Sequence, residues 1–173
     1  MKKTATRDMC EVAALIALTI ILSHFASIKT DTIRIGFGFV PIALCGMLFG
    51  PVWAGVAYGI ADMAGALLFY GYITPGITLS AILTGVFFGL FLHRDAVKLP
   101  HIIGAVLSNQ LICSLFVTTV ALSLTYGQPF WATFISRIPQ VGLTIVAQFV
   151  IIPVLMQIRR ALLKANLVSP VRG

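Results

Sequence analysis

The residues able to do chemistry in this chain stand where it is otherwise apolar. Asp62 lies in the segment G-I-A-D-M-A-G, about 17 Å along a helix axis from Pro51. An ionisable side chain at such depth costs about 2.5–3.5 kcal/mol by insertion scales unless a partner or a cavity receives it. Gly55, Gly59 and Asp62 follow i, i+4, i+7 spacing, so the carboxylate points at another helix. Two readings stay open: it accepts hydrogen bonds from a ligand, or it pairs with Arg137 or caps a broken helix. Further on, Arg137, Gln140, Thr144 and Gln148 recur at spacings 3, 4, 4 on one face. Four polar residues in register describe a face turned to a polar interior, and Pro139 beside them frees a carbonyl. A second set precedes it: Ser108, Asn109, Gln110, Ser114 and Thr118. The competing reading for both sets is hydrogen bonding between helices, about 0.6 kcal/mol per pair.

The rest of the inventory is quiet. His24, His93 and His101 sit near segment ends, no nucleophile–base pair stands out, and no His, Cys, Asp or Glu set has metal spacing. Cys10, Cys45 and Cys113 are read as small apolar fillers. No G-x-x-x-x-G-K-[ST] loop is present. We therefore expect no catalysis, no metal and no cofactor. Phe37, Phe39, Tyr70, Tyr72, Tyr126, Phe130 and Trp131 gather near loop ends, where an interfacial belt or stacking on a flat ligand ring would place them; Trp53 suits only the belt.

These residues must be positioned by elements built for lipid. Of 173 residues, 59% are hydrophobic and 10% charged, with a mean hydropathy of +1.03. Soluble domains carry about 25% charged residues. Apolar runs and their breakers predict an all-α integral membrane protein of six transmembrane helices, forming one membrane domain over residues 1–173. The expected spans are 9–28, 37–49, 52–70, 77–92, 101–124 and 131–163, the last interrupted or bent at Pro139 and Pro153. Gly50-Pro51 marks a tight turn between the second and third helices. Residues 1–28 read as a retained first helix, since no A-x-A-like site closes the run.

The net charge of +7 is a topology signal and not a nucleic-acid patch. With the N-terminus inside, Lys2, Lys3, Arg7, Arg94, Lys98, Arg159, Arg160, Lys164 and Arg172 all fall inside, against Lys29 and Arg34 in outer loops. That bias predicts cytoplasmic termini in the plasma membrane of a prokaryote. Small residues four apart, Gly46/Gly50, Gly55/Gly59 and Gly85/Gly89 among them, predict closely packed helices.

The stretch Arg34–Leu90 carries a family likeness. R-I-G-F-G-F-V-P-I-A-L-C-G-M-L-F-G-P-V-W-A-G, then G-I-A-D-M-A-G, then T-P-G-I-T-L-S-A-I-L-T-G-V-F-F-G-L resembles the S components of energy-coupling factor (ECF) transporters, and more narrowly the folate-family S components. The resemblance implies a subunit that binds a vitamin near the outer surface and docks on a transmembrane coupling subunit driven by two cytoplasmic ATPases. It implies docking through an A-x-x-x-A pattern on helix 1, matched by Ala13 and Ala17. It implies a site in the outer loops and outer helix ends, which here means Arg34, Tyr70, Tyr72, Thr74, Thr78, Trp131, Arg137 and Gln140.

Folate chemistry fits that inventory. A pterin is flat and presents adjacent N–H donors, suited to Asp62 and to an aromatic face such as Tyr72 or Trp131. Its glutamate tail suits Arg34, Lys29 or Arg137. Other substrates stay open on the same scaffold, riboflavin, pantothenate or a queuosine precursor among them. A non-transport structural membrane protein is the alternative from another class.

Overall fold

The computed structural model describes residues 2–24, 28–29, 34–69, 71–93, 99–127 and 129–164. Six helices run through them: α1 (Lys2–His24), α2 (Phe39–Phe49), α3 (Pro51–Phe69), α4 (Pro75–Leu92), α5 and α6 (Phe130–Lys164). Helix α5 is continuous but changes winding, with α-helical ends at Leu99–Leu107 and Thr118–Tyr126 flanking a π-helical centre at Ser108–Val117. The chain is not helical throughout. Between α1 and α2, β1 (Ile28–Lys29) pairs antiparallel with β2 (Arg34–Ile35), Lys29 opposite Arg34. The expected first helix reaching residue 28 therefore stops short, and it begins earlier, at Lys2 instead of residue 9. An exposed Arg7–Glu11 pair at 2.9 Å, one helical turn apart, carries helical winding past the apolar boundary.

Four helices among the described residues are long and apolar enough to cross a membrane: Pro51–Phe69, Pro75–Leu92, Leu99–Thr125 and Phe130–Leu162. Helix α2 is apolar but has only 11 residues, about 16 Å of rise against a hydrocarbon core of about 30 Å. Nine of its residues are buried, so it serves as the centre of the bundle. Ile42, Ala43, Cys45 and Met47 are fully enclosed among Phe88 and Leu92 of α4, Ala105 and Val106 of α5 and Ile152 of α6. Gly50, at φ 88°, turns the chain from α2 into α3 in the left-handed region, and Pro51 opens α3 with its fixed φ. Neither proline interrupts the last helix: α6 stays helical through Pro139 and Pro153.

Glycines set the distance between α3 and α4. A Cβ on Gly85 would meet the backbone of Ala54 and Gly55, and one on Gly89 would meet the backbone of Pro51 and Gly50. One on Gly46 of α2 would lie 2.9 Å from the Gly89 nitrogen. Gly55 and Gly59 present their bare faces to Val86 and Ile82. These spacings thus pack helices within the chain, gaining dispersion contact that lipid cannot supply.

A paired substitution tests this. Gly89→Ala forces a methyl against rigid backbone and should cost about 1–3 kcal/mol, whereas Gly142→Ala in α6, with nothing within 4 Å of the added carbon, should leave stability unchanged or raised. Thermal melting in detergent reads both. Equal melting temperatures would mean that backbone contact does not hold α3 to α4.

Candidate binding cavity

Polar residues from five helices line one cavity of about 470 Å³, within the range of small-molecule sites. Helix α1 contributes Thr19, Ser23 and His24, and α3 contributes Tyr58 and Asp62, one turn apart. The α3–α4 connection adds Tyr72 and Thr74, and α4 adds Ser80 and Thr84. Asn109, Gln110, Ser114 and Thr118 come from α5, and Gln140, Thr144 and Gln148 from α6. The lining runs from the α1–α2 and α3–α4 connections towards the middle of the bundle. Asp62 is the one carboxylate among the described lining residues, and no Lys or Arg is among them.

Hydrogen bonds between helices fix much of this wall. Thr78 Oγ1 donates to Asp62 Oδ2 at 2.8 Å, tying α4 to α3. Thr84 Oγ1 lies 2.8 Å from Asn109 Oδ1, tying α4 to α5. Ser80 Oγ lies 2.9 Å from the Cys113 carbonyl oxygen. In a membrane interior each such bond removes a polar atom that lipid would leave unsatisfied. His24 stacks on Phe69 with ring centroids 4.0 Å apart, and its ring covers Gly65, where a Cβ would lie 2.8 Å from its Cε1. Gln148 is 1% exposed and its Oε1 has no hydrogen-bond partner.

The expected site residues separate into groups. Asp62, Tyr72 and Gln140 line the cavity, as does Thr74. Thr78 is buried behind the wall and reaches it through Asp62. Trp131 does not line it: its ring is 71% exposed on the outside of α6, in an edge-on cluster with Phe130 and Phe134. Arg137 also stands off the lining, although Gln140, Thr144 and Gln148 of its stripe face inward. Its Nε is buried without a hydrogen-bond partner. Tyr70 and the side chain of Arg34 lie outside the described residues. The second polar set behaves as a cavity face in Asn109, Gln110, Ser114 and Thr118. Sequence reasoning passed over Thr19 and Ser23, Ser80 and Thr84, and Tyr58 one turn before Asp62, although each pair is spaced i, i+4 and so marks one polar stripe.

The substrate-specific component of ECF transporters is the family whose model matches residues 7–156. That match covers most of the chain. The chain belongs to this family. As an S component it is the part of a transporter that recognises substrate, a multi-pass membrane protein and not an enzyme. It is 36% identical to the folate transporter FolT of Clostridium novyi over 131 residues, 75% of this chain and 76% of that protein. It is 27% identical to FolT of Streptococcus mutans over 168 residues, 90% of each chain. Its fold matches the crystal structure of FolT bound with folic acid, with a TM-score of 0.76 and 32% identity over 90% of this chain and 94% of that one. The S component for biotin from an ECF-type ABC transporter shares the fold alone, at a TM-score of 0.72 and 18% identity over 92% of this chain and 94% of that one.

A substitution at Gln148 tests whether this wall binds substrate. A buried carbonyl without a donor costs about 1–3 kcal/mol by mutational data. Gln148→Met keeps the volume and removes the orphaned oxygen, so the unliganded S component should melt at or above the unsubstituted temperature. Substrate affinity should fall in the same variant. A lowered melting temperature would mean that Gln148 serves packing.

Proposed function

We propose that this S component binds folate, with the pterin ring in the cavity against Asp62 and the glutamate tail directed to the outer mouth. The observation that carries the reading is Asp62, the one carboxylate among the described residues of a polar cavity wall, in a chain 36% identical to a folate transporter. Adjacent N–H donors of a pterin match the two oxygens of one carboxylate. The amides of Asn109, Gln110 and Gln140 add donors and acceptors for the ring's remaining edges. The tail needs cations, and the described wall holds none. Arg137 stands one helical turn outward from Gln140 with a buried unpartnered Nε, and Arg34 lies in the α1–α2 connection. In this reading Arg137 takes a tail carboxylate, while Arg34 closes over it together with Tyr70.

Titration of folic acid tests this. A charged hydrogen bond contributes roughly 1.5–3 kcal/mol, so Asp62→Asn, Arg34→Ala and Arg137→Ala should each weaken binding about ten- to a hundredfold. Unliganded melting of each variant is the control that separates a binding role from a structural one. Unchanged affinity in both arginine variants would favour a substrate without carboxylates.

The transport step belongs to the same reading. Six spans in the cell membrane, with both termini cytoplasmic, agree with nine Lys and Arg inside against two in outer loops. Ala13 and Ala17 are exposed on α1, one turn apart on a face that no described residue of another helix covers. That face suits close approach of a coupling subunit, which two cytoplasmic ATPases would drive. Ala13→Trp or Ala17→Trp should abolish uptake in cells while folic acid affinity stays within about twofold. Equal loss of binding would assign the face to the bundle.

A further inference from the structure

The π-helical centre of α5 brings Asn109 onto the same cavity face as Gln110, Ser114 and Thr118. A π turn closes i→i+5 hydrogen bonds and winds at about 4.4 residues per turn, near 82° per residue, against 100° in an α-helix. At that pitch Asn109, Gln110, Ser114 and Thr118 share an arc of about 80°. At α pitch Gln110, Ser114 and Thr118 would still span about 80°, but Asn109 would stand about 100° from Gln110 and about 180° from Thr118. The exposed side chains agree with the wide winding: Leu111, Ile112 and Phe116 share the opposite arc and face outward.

Nothing in the local sequence enforces a π turn; Ser108–Val117 contains no proline. The restraint comes from across the helix interface. The Cys113 carbonyl accepts the N–H of Thr118, five residues on, in place of the 117 N–H that an α turn would supply. Thr118 Oγ1 lies 2.8 Å from the same oxygen and Ser80 Oγ of α4 lies 2.9 Å from it, the two hydroxyls being 2.8 Å apart. Two hydroxyls and one N–H converge on one carbonyl, an arrangement that rewards the i→i+5 register. At the start of the segment Thr84, one turn further along α4, holds Asn109.

We infer that Ser80 is a positioning residue for substrate recognition: through the Cys113 carbonyl it holds α5 in π winding, which aims Asn109, Gln110 and Ser114 at the bound ligand. The inference rests on the reading that this cavity is the binding site. Without the Ser80 hydroxyl the segment relaxes toward α pitch. Val117, about 145° from Gln110 in the π winding, then turns to within about 20° of it, and Asn109 leaves the face.

The test reads winding and binding separately. In detergent-purified, ligand-free protein with the exposed Cys10 replaced by Ser, a small charged methanethiosulfonate should label Ser114→Cys and spare Val117→Cys. Adding Ser80→Ala should slow labelling at 114 and bring it up at 117. Thr118→Val, which keeps volume and removes the second hydroxyl, should shift labelling in the same direction and covers the case in which Ser80→Ala folds poorly. For binding, Ser80→Ala should weaken folic acid about tenfold, and Gln110→Ala should cost little further in that background. Unchanged labelling at both positions would overturn the inference. So would losses for Ser80→Ala and Gln110→Ala that simply multiply, which would make Ser80 a direct contact. Labelling needs no ligand, so folic acid failing to bind the unsubstituted protein would remove the folate reading and leave the winding to be decided by itself.

Discussion

Close backbone contact between α3 and α4 is the constraint on which the cavity depends. Gly85 and Gly89 have no side chain to hold α4 away from Pro51, Ala54 and Gly55, so the two helices meet at backbone distance. Only at that separation does the hydroxyl of Thr78 reach the carboxylate of Asp62. Lipid provides no hydrophobic force between helices, so shape complementarity and polar bonds must supply the association. Both operate along this one interface, glycines towards one end and the Thr78–Asp62 bond towards the other.

From α4 the same logic extends to α5. Its polar stripe, Ser80 and Thr84, bonds to the Cys113 carbonyl and to Asn109. Helix α4 therefore acts as the spine of the site, in contact with the carboxylate on one side and the amides on the other. The buried short helix α2 fills the bundle below, which leaves open space in the half lined by Tyr58, Asp62, Gln110 and Gln140. A polar chamber in a membrane is stable only if its wall satisfies itself while empty. Most of this wall does so through hydroxyl-to-carbonyl and hydroxyl-to-amide bonds. Gln148 Oε1 makes no such bond and lies among the α6 residues that face the chamber, where an acceptor is open to a donor of a bound ligand.

Much of this could be read from residue order. The long apolar runs fix five of the helices, since each backbone must satisfy its own hydrogen bonds in lipid, and Gly50-Pro51 fixes the turn between α2 and α3. The i, i+4 spacing of Gly85 and Gly89 announces close packing, and Asp62 announces a cavity, because an unsatisfied carboxylate in a span is too costly to keep. The depth of Asp62, the inward set of Gln140, Thr144 and Gln148, and the family itself were all legible. The fourth member of that stripe was not: Arg137 shares their spacing yet stands off the lining.

What only the tertiary structure decided concerns winding and partner choice. Trp131 looked like a stacking face by its place beside Tyr126 and Phe130, yet the helix turns it outward, because one aromatic cluster at a helix start fits lipid as well as ligand. Helix α1 winds on through a polar stretch, with Arg7 and Glu11 paired one turn apart, that hydropathy alone scores as a boundary. Two prolines in α6 failed to break it, while a segment of α5 without any proline left α geometry. A sequence specifies how each residue prefers to wind by itself. Whether a carbonyl bonds four or five residues ahead, however, depends on a hydroxyl from another helix, and that is settled only when α4 and α5 are in contact.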